Sequence, residues 1–164
     1  MILLGVDVGL DGALAFMDAT PGSLPRVLDM PTLELSRNGK KRRDIDVHVL
    51  ADYISAQPIG HAFVEQVWPR PGEATSVGFV FGKTYGIVIG VLVTLGTPIT
   101  FVSPQKWKKA LGVPAAKDGA RARASQLMPG AAHQWQRVKD DGRAEAALIC
   151  LWGQQYLANI ARAA

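Results

Sequence analysis

The chain has 164 residues, a net charge of +4 and a hydrophobic fraction of 48%, which suits one domain, residues 1–164, with a sizeable core. Its single cysteine excludes an internal disulfide and favours a reducing, cytoplasmic compartment. The N-terminal residues lack the basic segment of a signal peptide, and the apolar stretch 77–100 contains Lys83, which favours a buried helix followed by a strand, so we expect no membrane partner.

The first part of the chain predicts three antiparallel strands. Alternating apolar residues and a turn at Asp11 define the first two, and Pro31 makes the third an edge or irregular strand. These strands cover residues 1–8, 13–19 and 26–34. A basic loop over 37–43 follows, and Asp44 is expected to cap an amphipathic helix over 44–57.

The rest of the chain alternates strands with helices. A continuous apolar run that ends at Glu65 is typical of a buried parallel strand. After it we predict a helix at 76–95, a strand at 99–104, and helices at 104–111, 117–128 and from 140 onward. The segment 129–139 is expected to be a mobile loop. Antiparallel strands followed by β-α-β units imply an α/β fold, a mixed sheet with helices on its faces.

Four carboxylates follow or open apolar elements: Asp7, Glu65, Asp141 and Glu145. Asp7 and Glu65 end strands, where the sites of α/β proteins usually gather. Asp141 and Glu145 are four residues apart, so they share one helix face, where a bound cation would offset their repulsion. Acids that converge without His or Cys favour hard divalent cations such as Mg²⁺, and pairs of these ions cleave phosphodiester bonds.

Each acid also has a plainer interpretation. An Asp beside glycines is common in turns, and a Glu at a strand end often pairs with Lys or Arg. Asp140 could be the helix N-cap, with Asp141 favoured near the positive helix end. Either Asp140 or Asp141 could therefore be the fourth acid of the site.

Basic residues are concentrated at 37–44 and at 101–143, on both sides of the acids, as in proteins that bind phosphate backbones. In the second segment, Trp107 is expected to pack inward, while the neighbouring lysines reach solvent. Lys117 and Arg121 are expected to share a helix face. The candidate phosphate contacts are Arg70, Lys106, Lys108, Lys109, Lys117, Arg121, Lys139 and Arg143.

Glycines recur every four residues in the helix after Glu65, at positions 78, 82, 86 and 90. Each costs a helix roughly 1 kcal/mol relative to Ala. Close approach of another backbone would explain this glycine stripe. That backbone belongs either to the sheet beneath or to the same helix of a second subunit.

The order of these motifs resembles the RuvC family of Holliday junction resolvases, and its phage and prophage branch most closely. The resemblance rests on the strand-Asp-x-Gly start, on VEQ at the buried strand and on DDGRAEAAL in the last helix, with SPQKWKKALGV and KDGARARASQLMP between them. It covers nearly the whole chain. It implies a ribonuclease-H-like mixed five-stranded sheet flanked by helices, a homodimer, and two Mg²⁺ ions for which Mn²⁺ can substitute.

The resemblance implies that Asp7, Glu65 and Glu145 are catalytic metal ligands, with Asp141 as the fourth. The bacterial members carry two Asp three residues apart, whereas Gly142 stands three residues before Glu145 here, so Asp141 would have to substitute. One ion would activate water and the other would stabilise the leaving 3′ oxygen. An aromatic near Trp68 would stack on bases opened at a junction, although Trp68 could instead pack under its own loop.

We therefore expect a metal-dependent, structure-selective endodeoxyribonuclease that resolves four-way junctions or other branched DNA during recombination and repair, in a bacterial or phage-infected cell. One alternative is a non-catalytic junction-binding protein of the same fold. Another is a fragment of an actin-like phosphotransferase, because strand-Asp-x-Gly opens those proteins too. The chain is short for their two lobes and has no second Asp-x-Gly phosphate loop.

Overall fold

A five-stranded mixed sheet organises the computed structural model of the chain, which describes residues 1–37, 39–66, 68, 72 and 74–163. The strands are β1 (Ile2–Asp7), β2 (Ala13–Asp18), β3 (Arg26–Asp29), β4 (Thr32–Arg37), β5 (Lys40–Ile45), β6 (Ile59–Glu65) and β7 (Ile99–Val102). The helices are α1 (Val47–Ser55), α2 (Thr75–Thr94), α3 (Pro104–Leu111), α4 (Gly119–Leu127) and α5 (Asp141–Ala163). The strand order is β3-β2-β1-β6-β7, which confirms the predicted mixed sheet flanked by helices.

The central strand β1 runs antiparallel to β2 and parallel to β6. Its register pairs Val6 with Val64, so Asp7 and Glu65 end neighbouring parallel strands at the same edge of the sheet. Successive side chains of a strand point to opposite faces, so Leu3 joins one hydrophobic core and Leu4 joins the other. The sheet thus places two carboxylates next to each other at its edge, and both of its faces are buried.

One face of the sheet is sealed by α5, which comes unusually close to the strands. A Cβ added at Gly5 would lie 2.6 Å from the backbone nitrogen of Cys150, and one at Gly153 would lie 2.1 Å from Cδ2 of Phe63. Cys150 is buried in this contact, and burial raises the pKa of its thiol to about 12. The glycines therefore allow a helix–sheet contact that side chains would prevent.

The other face is covered by α1 and α2, and α2 is only partly enclosed. Its buried residues are Thr84, Val88 and Leu92. By length and composition α2 could cross a membrane, with a mean hydropathy of 1.7 over 18 residues. Only 17% of that window is buried within the fold. The expected helix is present, but the expectation that it is buried is wrong, because most of its surface extends beyond the elements packed against it.

The glycine stripe of α2, positions 78, 82, 86 and 90, faces away from the sheet. A Cβ at any of the four would meet no atom outside its own helix within 4 Å. Packing against the chain's own sheet therefore does not explain the stripe.

The basic segment after Pro31 is a β-hairpin rather than a loop. Pro31 separates β3 from β4, and β4 pairs with β5 in a sheet of its own, with Leu35 opposite Arg42. Gly39 turns the chain at a φ of 72°, and Asn-Gly is a common sequence for such a tight turn. Asn38 itself lies outside the described residues.

The expected cap of α1 is also wrong. Asp46 caps the helix, since its Oδ1 accepts a hydrogen bond from the backbone N–H of Val49 at 3.1 Å. Asp44 belongs to β5 and pairs with Lys83 of α2. Because the hairpin extends to Ile45, the helix starts later than its sequence pattern suggests.

The segment 129–139 is ordered rather than a mobile loop. It forms two 3₁₀ helices, Pro129–Trp135 and Val138–Asp140, and buries Ala131 and Trp135. The side chain of Gln134 accepts from the N–H of Val27 and donates to the carbonyl of Pro25. Hydrogen bonds to a segment more than a hundred residues away fix this region, and no local pattern predicts them.

Candidate functional site

Three of the predicted acids converge at the edge of the sheet. One oxygen from each of Asp7, Glu65 and Glu145 lies within 4.8 Å of the others. We call these residues the acid cluster. Gly142 lets α5 approach, since a Cβ there would lie 2.9 Å from Oδ2 of Asp7. Converging carboxylate oxygens suit a hard divalent cation.

The electrostatics of the acid cluster also fit a cation. Burial, and then repulsion from Glu145 and Glu65, raises the pKa of Asp7 well above its usual value, against a smaller opposing effect of Lys108. Burial also raises the pKa of Glu65, although its hydrogen bond from Trp107 opposes the change. Full ionisation is therefore unfavourable without a positive charge between the acids, and a divalent cation would supply it.

Two neighbours on α3 hold the acid cluster. Nε1 of buried Trp107 donates to Oε1 of Glu65 at 2.8 Å, and Nζ of Lys108 lies 2.7 Å from Oε1 of Glu145. The expected inward packing of Trp107 is confirmed. Its hydrogen bond to Glu65 is not predicted by the sequence pattern, although a buried indole N–H generally needs an acceptor and Glu65 ends a neighbouring strand.

The two candidates for a fourth acid have other partners. Asp141, whose side chain is 41% exposed, accepts a hydrogen bond from Nε of Arg121 at 2.6 Å and lies outside the acid cluster. Asp140 is buried and binds the guanidinium and backbone N–H of Arg137, which lowers the pKa of Asp140. Asp140 thus stabilises the chain just before α5, and a metal-binding role for Asp141 stays a prediction.

Four predicted phosphate contacts are exposed lysines: Lys106, Lys109, Lys117 and Lys139. Lys106 lies over an aromatic ring of α5, with Nζ 5.5 Å from the ring centroid of Trp152. Lys117 precedes the first residue of α4, Gly119, so the expected shared helix face with Arg121 is wrong.

The remaining described cations of the predicted set form ion pairs within the chain. Lys108 pairs with Glu145 and Arg121 with Asp141, as above. Arg143 binds both carboxylate oxygens of Asp29, with Nε–Oδ1 and Nη2–Oδ2 distances of 2.5 and 2.6 Å. These three side chains therefore already have partners in the protein without DNA, and phosphate binding by them stays a prediction.

Trp68 follows β6 and is 75% exposed, which favours neither burial under its own loop nor a place in the core. Its stacking on a base stays a prediction. Arg70, the other candidate in this loop, lies outside the described residues.

The fold and this site can be compared with known proteins. No protein-family model and no curated protein sequence matches the chain. Among solved structures, RuvC of Thermus thermophilus matches with a TM-score of 0.62 and 17% identity, over 95% of this chain and 96% of that one. The same protein in complex with a Holliday junction substrate matches with a TM-score of 0.63 and 13% identity over the same shares.

Two resolvases from other sources give similar results. The yeast mitochondrial Holliday junction resolvase Ydc2 matches with a TM-score of 0.61 and 17% identity, over 98% of this chain and 80% of that one. The fowlpox virus Holliday junction resolvase matches with a TM-score of 0.51 and 12% identity, over 98% and 99%.

The class that the fold defines is therefore ribonuclease-H-like, with a mixed sheet between helical layers. Within that class, the chain has the fold of RuvC-type Holliday junction resolvases over nearly its whole length. The resemblance found in the sequence is confirmed at this level. At such low identity the likeness establishes the fold, and activity needs a separate argument.

Proposed function

We propose that this protein is a metal-dependent, structure-selective endodeoxyribonuclease that cuts Holliday junctions or other branched DNA. The observation that carries the proposal is the acid cluster of Asp7, Glu65 and Glu145 at the edge of a resolvase-type sheet. A structural neighbour was solved with a Holliday junction substrate, which supports DNA of this kind as the substrate here.

In this proposal the acid cluster holds Mg²⁺, or Mn²⁺ in its place. When bound, a pair of such ions would supply the activation of water and the stabilisation of the leaving 3′ oxygen. Trp107 keeps one oxygen of Glu65 fixed, and Lys108 balances the charge of Glu145. Asp141 is proposed as the fourth ligand, a role that requires its release from Arg121.

The exposed lysines would bind DNA phosphates near this site. Lys106, Lys109, Lys117 and Lys139 are the candidates that reach solvent. Trp68 is proposed to stack on a base opened at the junction, where stacking contributes about 1–3 kcal/mol per base.

We further propose that the protein works as a homodimer that uses the glycine stripe of α2. The stripe has no packing partner among the described residues outside α2, and exposed Phe79 and Val93 lie on the same side of the helix. Two copies of α2 could approach closely there, and a two-fold dimer suits a junction cut at two symmetric points.

A cleavage assay tests the nuclease. A labelled four-way junction should be cut with Mg²⁺ or Mn²⁺ and left intact with EDTA. Asp7→Asn should reduce cleavage by about 1,000-fold or more, because metal ions contribute several kcal/mol to such reactions, while junction binding is largely retained. The matched control is Asp52→Asn, at an exposed position on α1, which should cut like the unmodified protein.

A non-catalytic junction-binding protein is the second candidate. It is favoured by the ion pair that Lys108 makes with Glu145 and by Gly142, which stands where the bacterial pattern has an acid. Tight binding of four-way junctions without cleavage in either metal would support this candidate and reject the nuclease.

A further inference from the structure

The β-hairpin and the start of α2 enclose a cleft of about 500 Å³. We call it the hairpin cleft. One wall is apolar, the other is basic, and the turn between β1 and β2 forms the floor. The residues that matter here are Val77, Val80 and Phe81 on the apolar wall, Arg42 and Arg43 on the basic wall, and Leu10 on the floor.

The apolar wall is an uncovered part of the inner face of α2. Val77, Val80 and Phe81 precede buried Thr84 by seven, four and three residues, the spacing of one helix face. That face packs on the sheet further along, yet Val77 is 50% exposed and Val80 is 40% exposed. The first turns of α2 therefore present Val77 and Val80 as exposed, inward-facing apolar surface, next to Phe81 at the edge of the core.

This surface is distinct from the proposed dimer surface. Gly82 and Gly86 are each two residues from Thr84, which places them about 160° around the helix from it. A second subunit on the glycine stripe would therefore leave the hairpin cleft open.

The basic wall is strand β5, which the fold holds in place at its base. Ile45 is buried, Asp44 pairs with Lys83, and Arg43 lies 2.5 Å from Oδ1 of Asp11. Further toward the tip, Lys40 and Arg42 are exposed, and neither makes an ion pair with another described residue. The wall is thus a fixed strand with positive charge left for an anionic ligand.

The turn between β1 and β2 links the acid cluster to the floor of the hairpin cleft. Leu10 on its floor follows Asp7 by three residues. A Cβ at Gly142 would lie 2.4 Å from the carbonyl oxygen of Asp11 and 2.9 Å from Oδ2 of Asp7, so both groups border the same point. A strand positioned at the acid cluster, on the α5 side, would reach the hairpin cleft, on the α2 side, by crossing the turn between β1 and β2.

We propose that the hairpin cleft binds one DNA strand as it leaves the acid cluster, with unstacked bases against Val77, Val80 and Phe81 and phosphates on Lys40 and Arg42. This inference rests on the proposed function. Sites for single strands combine a basic groove with aromatic side chains on which bases stack. Phe81 is the aromatic side chain here, and Val77 and Val80 extend the apolar surface beside it. A second copy of the chain packed here would have to bury Arg42 against an apolar wall, which is unfavourable without a carboxylate.

Disulfide trapping tests the position of the strand. Cys150 is buried, so Val77→Cys adds an accessible thiol to a chain that otherwise offers none. A four-way junction that carries an activated disulfide on one base, scanned along one arm in EDTA, should crosslink to Val77→Cys at least about tenfold faster than to Ile160→Cys at one or more positions. Ile160 is exposed and lies about 22 Å along α5 from Glu145, which makes it the matched control.

Salt-dependent binding tests the basic wall. Lys40→Gln combined with Arg42→Gln should lower the slope of log affinity against log salt by about 1.8, since each phosphate contact contributes about 0.9. Arg162→Gln, at the exposed end of α5, should leave the slope unchanged.

Equal crosslinking of Val77→Cys and Ile160→Cys at every position would overturn the inference, as would a Val77→Cys protein dimer whose disulfide forms equally well with DNA present. The proposed function fails separately. Crosslinking without metal-dependent cleavage by the unmodified protein rejects the nuclease and keeps the cleft, whereas cleavage without crosslinking rejects the cleft alone.

Discussion

Helices α5 and α2 lie on opposite faces of one sheet, and both carry glycines in their middle turns, but for different reasons. At Gly153 of α5, a Cβ would overlap the ring of Phe63 at 2.1 Å. At Gly86 of α2, it would meet nothing within 4 Å outside the helix. The glycines of α5 are thus explained by packing within the chain. Those of α2 either allow an external partner to pack closely or have no packing role.

The same contrast separates the two proposed tasks. The enclosed face carries Glu145 on α5 and holds it against Asp7 through the close approach at Gly142. The open face carries the glycine stripe and the hairpin cleft, which are surfaces for partners. Metal ligands need a rigid, buried frame, while a DNA strand or second subunit needs exposed surface, so the two faces suit different parts of the proposed function.

Gly153→Ala should have the largest effect on folding. The added methyl group collides with the ring of Phe63, which cannot move within a close-packed core, so the free energy of unfolding should fall by about 3 kcal/mol despite the better helix propensity of Ala. Urea denaturation measures this change. An unchanged or raised stability would show that α5 is less tightly enclosed than its contacts indicate.

Asp7→Asn should stabilise the metal-free protein, by about 1–2 kcal/mol at pH 8, because it removes a carboxylate whose ionised form is disfavoured by burial and by Glu145. The folded state raises the pKa of Asp7, so the folded protein binds this proton more tightly than the unfolded chain. Its stability therefore falls as pH rises from the usual Asp pKa through the raised value.

The gain from Asp7→Asn should consequently shrink toward pH 4, where the folded state holds the proton and about half of the unfolded chains hold it too. Urea denaturation in EDTA at pH 4 and pH 8 measures it. A gain in stability that is larger at pH 4 than at pH 8 would contradict the raised pKa of Asp7. It would also contradict the view that the ionised acids on the enclosed face destabilise the metal-free protein.

Gly86→Ala should have the smallest effect and the opposite sign to Gly153→Ala. With open space around it, the substitution should raise monomer stability by about 1 kcal/mol through helix propensity alone. If a second copy packs on the stripe, the same change should weaken the dimer in sedimentation equilibrium. A destabilised monomer would mean that α2 has an intrachain contact at this position.

Much of the fold and site was predictable because it depends on local pattern. The apolar run before Glu65 indicates a buried strand, and parallel neighbours bring strand ends together, so the meeting of Asp7 and Glu65 follows. The hairpin was missed although Asn-Gly at 38–39 signals it, because charged residues filled β5. The cap at Asp46 could not be distinguished from Asp44, since both precede the same apolar pattern and only the hairpin register separates them.

By itself the sequence determined the order of most elements, the strand ends that carry Asp7 and Glu65, and the helix that carries Glu145, because hydrophobic periodicity is a local property. Only the tertiary structure decided which acids meet. Glu145 joins Asp7 and Glu65, while Asp141, four residues earlier, turns to Arg121. That choice depends on how α5 crosses the sheet over Gly142, a contact between segments more than 130 residues apart that no local pattern encodes.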